Sequence, residues 1–125
     1  MYPPIFEICA ADADVQTNLG TSPTRLYAFG EASQGVALPY AVWQVVGGLP
    51  ENYMDQVPDM DSWSIQIDVY GTSDSQVRDA AQSLRDAVEP SAHITSWGYQ
   101  GRDPDTKNYR YTFRVDWWID RDTQS

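Results

Sequence analysis

The sequence predicts an α+β fold, with a four- to five-stranded, largely antiparallel sheet and two main helices packed on one face. Segments 62–70 and 109–119 alternate apolar and polar residues, as strands with one covered face do. Segment 77–88 repeats its apolar residues at the helical period instead, and Ser73 with Gln76 forms a capping box before it. One helix and two half-covered strands are therefore expected to share a core.

Two shorter helices are expected near the N-terminus. Pro3 and Pro4 suit the first turn of a helix, because a missing amide donor costs little there. A second helix is predicted to begin at Asp12 or Asp14 and to end at Gly20.

The other elements are assigned from residue type. Three further segments rich in β-branched and aromatic residues are predicted as strands: 24–29, 39–46 and 92–99. Three segments without a regular period are predicted as loops or turns: 31–38, 47–61 and 101–107. The loop over 47–61 contains two prolines and four acids, and a loop of this length in a small chain is usually functional or disordered.

Length and charge narrow the function classes. The 125 residues fit one domain over 1–125, with a polar tail from about 121. The 18 acidic and 8 basic side chains make a net charge of −10, which argues against a surface that binds nucleic acid or anionic lipid. The N-terminus lacks the features of a signal peptide, and no apolar run is long enough to span a bilayer. We therefore expect no membrane partner.

No catalytic or metal-binding motif stands out. His93 is the sole histidine, and no nucleophile motif accompanies it. Cys9 is the sole cysteine, and its apolar neighbours predict a buried structural thiol. The acids form small groups that lack the ligand spacing of a calcium loop: Asp12 with Asp14, Asp55 with Asp59 and Asp61, and Asp103 with Asp105. The sequence therefore predicts neither an enzyme nor a cofactor or metal site.

The strands suggest contacts with other subunits. Trp63 and Trp117 fall on the apolar side of their strands, whereas Tyr70 and Trp118 fall on the polar side. The strands carry little lysine and no internal proline to protect a sheet edge. Edge pairing between identical subunits, repeated head-to-tail, would generate a ring.

Four segments carry a resemblance to a known family: PTRLYAFGEASQGVALPYAVWQVVGG, SWSIQIDVYG, VRDAAQSLRDAVEP and YRYTFRVDWWI. Over residues 3–119 the chain resembles the tail completion, or tail terminator, proteins of long-tailed bacteriophages. The resemblance implies a ring, typically a hexamer, on the head-proximal end of the tail tube. Such a ring stops tube polymerisation, joins the head-tail connector protein and lets DNA pass through its channel without specific binding. The expected location is the neck end of the virion tail, after assembly in the host cytoplasm.

The resemblance directs attention to particular side chains as contacts between subunits or around the channel. The expected residues are Glu51, Tyr53, Met54, Asp55, Asp59, Asp61, Arg102, Asp103, Asp105 and Trp118. Carboxylates lining a channel would repel the phosphates of a duplex, which favours free passage of DNA. Four arginines are expected to form ion pairs between subunits: Arg25, Arg102, Arg110 and Arg114.

Three other functions remain open from the sequence. Another neck component, such as a head-closure or connector protein, would have a similar pattern. A small-ligand or metal-binding enzyme would require a pocket that converges on His93. A monomeric binding module acting on the host would show no self-association.

Overall fold

The computed structural model describes residues 4–21, 24–28, 36–51, 60–102 and 108–120. Within these ranges the chain forms three helices and five strands. In chain order they are α1 (Ile5–Ala10), α2 (Ala13–Leu19), β1 (Leu26–Ala28), β2 (Tyr40–Glu51), β3 (Met60–Gly71), α3 (Asp74–Val88), β4 (His93–Arg102) and β5 (Tyr109–Asp120). None of these helices combines the length and apolar character needed to cross a bilayer.

The first helix begins beside the predicted prolines, and the second begins and ends where the sequence predicts. Helix α1 starts directly after Pro4. Asp12 caps α2, because its Oδ1 accepts hydrogen bonds from the amides of Asp14 at 2.9 Å and Val15 at 3.1 Å. Gly20 ends α2 with a φ of 83°, in the left-handed region that glycine enters without a steric penalty.

Helix α3 has the predicted cap in a slightly shifted form. The Ser73 hydroxyl accepts from the Gln76 amide at 3.2 Å. Gln76 Oε1 in turn accepts from the amide of Thr72 at 2.6 Å, one residue before the position of the usual capping box. The buried stripe of this helix, including Val77 and Leu84, faces the sheet.

The sheet has the order β1-β2-β3-β5-β4 and is mixed rather than purely antiparallel. Strand β1 runs parallel to β2, with Leu26 opposite Ala41, and the other pairs are antiparallel. Parallel neighbours cannot be joined by a tight hairpin turn, so β1 and β2 do not form a hairpin. The α+β class is confirmed, but the structure has three helices rather than two main ones: α3 packs on the sheet, and α1 and α2 pack against α3 and add buried side chains to the same core.

One core lies between the helices and the sheet. Its largest fully buried side chains include Phe113 and Ile67 from the sheet and Leu84 from α3. Cys9 is completely buried there, as predicted. Burial, with a smaller contribution from the charge of Asp12, raises the pKa of the Cys9 thiol to about 12.

The prediction of a loop over the whole of 47–61 is wrong. Strand β2 continues to Glu51 and β3 begins at Met60, and these two residues pair across the ladder. The pairing has a register shift between Val45 and Gly47 and includes Pro50 opposite Asp61. The pairing of β3 with β5 over its full length therefore outweighs the turn-like composition at residues 60–61. Residues 52–59 lie outside the described part.

The turn predicted over 101–107 needs the same correction at its start. Gly101 and Arg102 belong to β4 and pair with Arg110 and Tyr109 of β5. Residues 103–107 lie outside the described ranges, as do residues 31–35 of the predicted loop over 31–38.

Candidate assembly surface

The sheet has a second face on which none of the described helices packs. We call it the open face. It is formed by the side chains that alternate with the core residues. They are Tyr27 of β1, Tyr40, Val42 and Gln44 of β2, Ser64, Gln66, Asp68 and Tyr70 of β3, and Arg110, Thr112, Arg114 and Asp116 of β5. Only Asp68 among them is buried, so this surface is accessible to a partner.

A tyrosine cluster occupies one end of the open face. Tyr40 and Tyr70 stand opposite each other on β2 and β3, and their rings stack with centroids 5.1 Å apart. Tyr27 meets Tyr40 edge-on at 6.4 Å. Burial raises the pKa of both stacked tyrosines, and the neighbouring Arg110 guanidinium opposes the rise at Tyr70. Tyrosine and arginine are the residue types that protein interfaces concentrate at their centres.

A polar ladder continues the open face across β3 and β5. Asp68 is 7% exposed, and its carboxylate accepts from Thr112 Oγ1 at 2.5 Å and from Gln66 Nε2 at 3.3 Å. Asp116 accepts from the Ser64 hydroxyl at 2.9 Å. Both carboxylates thus have partners within the sheet, which holds the ladder in one arrangement.

A shallow groove of about 330 Å³ crosses this ladder, lined by Gln66, Ser96, Arg110, Thr112 and Arg114. Arg114 is exposed, and its guanidinium donates to Gln66 Oε1 at 3.3 Å. No carboxylate in the described residues forms an ion pair with Arg114. The groove therefore presents cationic and hydrogen-bonding groups suited to a carboxylate.

The helical side of the molecule is acidic, whereas the two arginines of the open face offset its two aspartates. The helices and their caps carry seven carboxylates against two arginines, a net charge of −5. Both arginines are already paired within α3, Arg78 with Asp74 at 3.0 Å and Arg85 with Glu89 at 2.5 Å. The remaining carboxylates are therefore not neutralised by any basic side chain of the helices.

His93 lies apart from the open-face groove. It is the exposed first residue of β4 and borders a second depression of about 290 Å³, which Arg85 and Glu89 also line. These two side chains form the ion pair described above. Across the described ranges, no three His, Cys, Asp or Glu side chains are grouped so as to hold a metal ion. The surroundings of His93 therefore give no support to the enzyme hypothesis.

The predicted interface residues fall at opposite ends of the sheet. Glu51 and Asp61 lie where β2 and β3 meet, and Trp118 pairs with Ser62 nearby. Arg102 lies at the other end, where its guanidinium stands 5.2 Å above the ring of Tyr109. Ten residue-to-residue steps along β3, from Asp61 to Gly71, separate the two ends, a length of about 34 Å.

The structure therefore does not bring Arg102 together with Glu51 and Asp61. The other residues expected at the interface or channel lie outside the described ranges: Tyr53, Met54, Asp55, Asp59, Asp103 and Asp105. The sequence did not reveal the contacts of Tyr40 with Tyr27 and Tyr70. The alternation of the strand places Tyr70 on its polar side. Only the order of the strands shows that Tyr40 stands beside it and that Tyr27 contacts Tyr40.

Known proteins share the fold of this chain and, through a family model, its family. No curated protein sequence matches the chain significantly. A solved structure, described as the virion of a native gene transfer agent particle, contains a chain of similar fold. The two chains share 13% identity, with 93% of this chain and 91% of that chain covered, at a TM-score of 0.66. The family model described as tail completion protein gp17 matches residues 3–120. The chain therefore belongs to the tail completion protein gp17 family and is a structural protein of the phage tail.

Proposed function

We propose that copies of this chain assemble into a hexameric ring that caps the head-proximal end of the tail tube. The ring stops tube polymerisation and presents the surface to which the head-tail connector protein binds. The observation that carries this proposal is the family match, which spans residues 3–120 and therefore includes every described element. The role is structural rather than catalytic.

Self-association is supported by the uncovered side of the sheet. A two-layer α+β unit leaves one sheet face bare, and here that face carries the tyrosine cluster and two arginines. Edge pairing is the less favourable route to a ring. Strand β4 has two register irregularities, and β2 has one, and such irregularities interrupt pairing along an edge.

The two ends of the sheet suit contacts with two different neighbours. Glu51 and Asp61 lie at one end and Arg102 at the other, about 34 Å away along β3. In a ring between a tube and a connector, one end would contact the tail tube protein and the other the connector protein. We propose that acids of the segments 47–61 or 103–105 face the channel or the tube. There they would repel the phosphates of passing DNA.

The decisive experiment is negative-stain imaging of particles produced without this protein. Overlong tails without heads are expected, because nothing would stop the tube from growing. A copy of the gene supplied in trans is the control and should restore normal particles. Tails of normal length with heads attached would contradict the proposal.

Tail length also separates the terminator from another neck component. Loss of a head-closure or connector protein would leave tails of normal length that lack heads. Loss of a terminator changes the length distribution itself. A normal length distribution among headless tails would therefore favour the head-closure or connector function.

A further inference from the structure

We infer that the ring interface joins the open face of one copy to the acidic outer side of α3 in the next copy. This inference rests on the proposed self-assembly and specifies the surfaces that perform it. The surfaces are defined by the groove around Arg110 and Arg114 on one side and by Asp79 and Asp86 on the other.

The two surfaces differ in charge, because Arg110 and Arg114 offset the two aspartates of the open face, whereas the helical side has a net charge of −5. On the open face, Asp68 and Asp116 already accept hydrogen bonds from side chains of the sheet. Arg114 has only the neutral Gln66 side chain as a partner within the described chain. An approaching carboxylate would therefore meet a cation that lacks an anionic partner.

Helix α3 offers carboxylates in a suitable row. Asp79 and Asp86 are both exposed and lie seven residues apart, so they project from the same side of the helix. Asp79 has no hydrogen bond or ion pair in the described chain, and Asp86 accepts only from Gln82 Nε2, at 2.9 Å. Both carboxylates thus remain available to a second copy.

The separation of Asp79 and Asp86 on α3 is close to the separation of Arg110 and Arg114 on β5. Asp79 and Asp86 are separated along the helix axis by about 10 Å. Arg110 and Arg114 are four residues apart on β5, which corresponds to about 13 Å. The long arginine side chains can take up a difference of this size.

The tyrosine cluster extends the same surface. Arg110 lines the groove and stands opposite Tyr70 across β3 and β5, so the stacked rings of Tyr40 and Tyr70 adjoin the groove. Tyrosines bury large apolar area at low cost in conformational entropy, which favours a protein partner. The phosphate backbone of DNA is a poorer occupant because the chain carries a net charge of −10.

The two surfaces lie on opposite sides of one molecule, so the contact is heterologous. A heterologous contact repeated from copy to copy closes into a ring or continues as a filament, depending on the rotation per step. The same interface thus accounts for a ring without any pairing of irregular strand edges.

The test is a charge reversal on the full-length chain, followed by mass photometry and by circular dichroism to verify folding. The wild-type protein should form rings. Arg114→Glu should raise the apparent dissociation constant of the ring at least about tenfold. Arg114→Gln, which removes the charge without reversing it, should have a smaller effect in the same direction.

Restoration by a second reversal identifies the partner surface. Either Asp79→Lys or Asp86→Lys should restore rings in the Arg114→Glu background. Glu7→Lys makes the same change in charge at an exposed position of α1 and should not restore the rings.

Each outcome has a distinct meaning. Rings that persist in Arg114→Glu, or a failure of both reversals on α3, would overturn this interface and leave the proposed ring intact. A wild-type chain that stays monomeric at every concentration would contradict the proposed function itself. Intact rings that lose binding to a duplex DNA probe would assign the open face to DNA instead.

Discussion

Three buried residues at different places in the fold are sensitive to substitution: Gly71, Asp68 and Cys9. Gly71 is the buried last residue of β3, and a side chain at this position would meet the side chain of Gln76. Asp68 is buried but has two hydrogen-bond donors, which offsets the cost of removing its carboxylate from water. Cys9 has no polar role and fills space between α1 and the rest of the core. Each of these positions is sensitive to substitution for a different physical reason.

Gly71→Ala is expected to destabilise the chain by roughly 1–3 kcal/mol, the usual cost of overpacking. A Cβ at this position would lie 2.6 Å from Gln76 Oε1 and 2.9 Å from Val77 Cγ1. Gln76 can move only by losing its bond to the Thr72 amide, and Val77 is buried. Denaturant unfolding measures the effect. In a Gln76→Ala background one of the two clashes is gone, so the cost should be smaller; an equal cost would contradict this explanation.

The stability of the chain should fall as pH rises above about 9, partly because of Cys9. The pKa of the thiol is 9.0 when unperturbed and about 12 in the folded chain. A raised folded pKa contributes stability that is fully present below the unfolded value and is lost as pH rises towards the folded value. Tyr40 and Tyr70 act in the same direction at higher pH, since burial also raises their pKa.

Unfolding measured between about pH 8 and about pH 11 tests the share of Cys9 in this effect. Cys9→Ala should be less stable at pH 8 because of the lost packing, but it should depend less steeply on pH. Identical slopes for the two proteins would show that the thiol does not titrate differently in the folded and unfolded states.

At the level of elements, α3 depends on both its buried stripe and its N-terminal cap. The apolar stripe packs on β3 and β5, while Ser73 and Gln76 satisfy amides that the first turn leaves without partners. Strand β3 is central, since it pairs along its whole length with β5 and with β2. These two elements connect the core to the open face.

Ser73→Ala is expected to lower the free energy of unfolding by about 1 kcal/mol, the usual value of an N-cap side chain. The hydroxyl accepts from the Gln76 amide, and alanine cannot replace that bond. Ser75→Ala is the matched control, since its hydroxyl is exposed and contacts only the Ser73 hydroxyl. Equal effects from the two substitutions in thermal or denaturant unfolding would contradict the capping role.

At the level of the whole molecule, the excess of acidic charge among these surfaces lies on the helical side, since the arginines and aspartates of the open face balance. The helical side has a net charge of −5, whereas the open face carries arginines whose neighbouring carboxylates are already hydrogen-bonded. A molecule polarised in this way favours contact between unlike surfaces of identical copies. The proposed ring follows from this polarity together with the family match.

Assembly should therefore weaken with salt. Raising the ionic strength from about 0.05 M to about 0.5 M shortens the Debye length several-fold and screens the attraction between the two sides. Mass photometry across this range should show a loss of rings. Arg114→Gln should respond less to salt than the wild-type chain does. Rings whose stability rises with salt would indicate an interface held mainly by apolar contact.

The sequence by itself determined the class of the fold, the core faces of β3, β5 and α3, the helix starts and the family resemblance. These features follow from local periodicity and capping, which depend on residues close together in the chain. Only the tertiary structure decided that β1 is parallel to β2, that β2 continues to Glu51, and that Tyr27, Tyr40 and Tyr70 meet. It also placed Arg102 far from Glu51 and Asp61. The reason is that pairing between strands joins residues distant in the chain, and the free energy of that pairing overrides the local turn composition of segments such as 47–51.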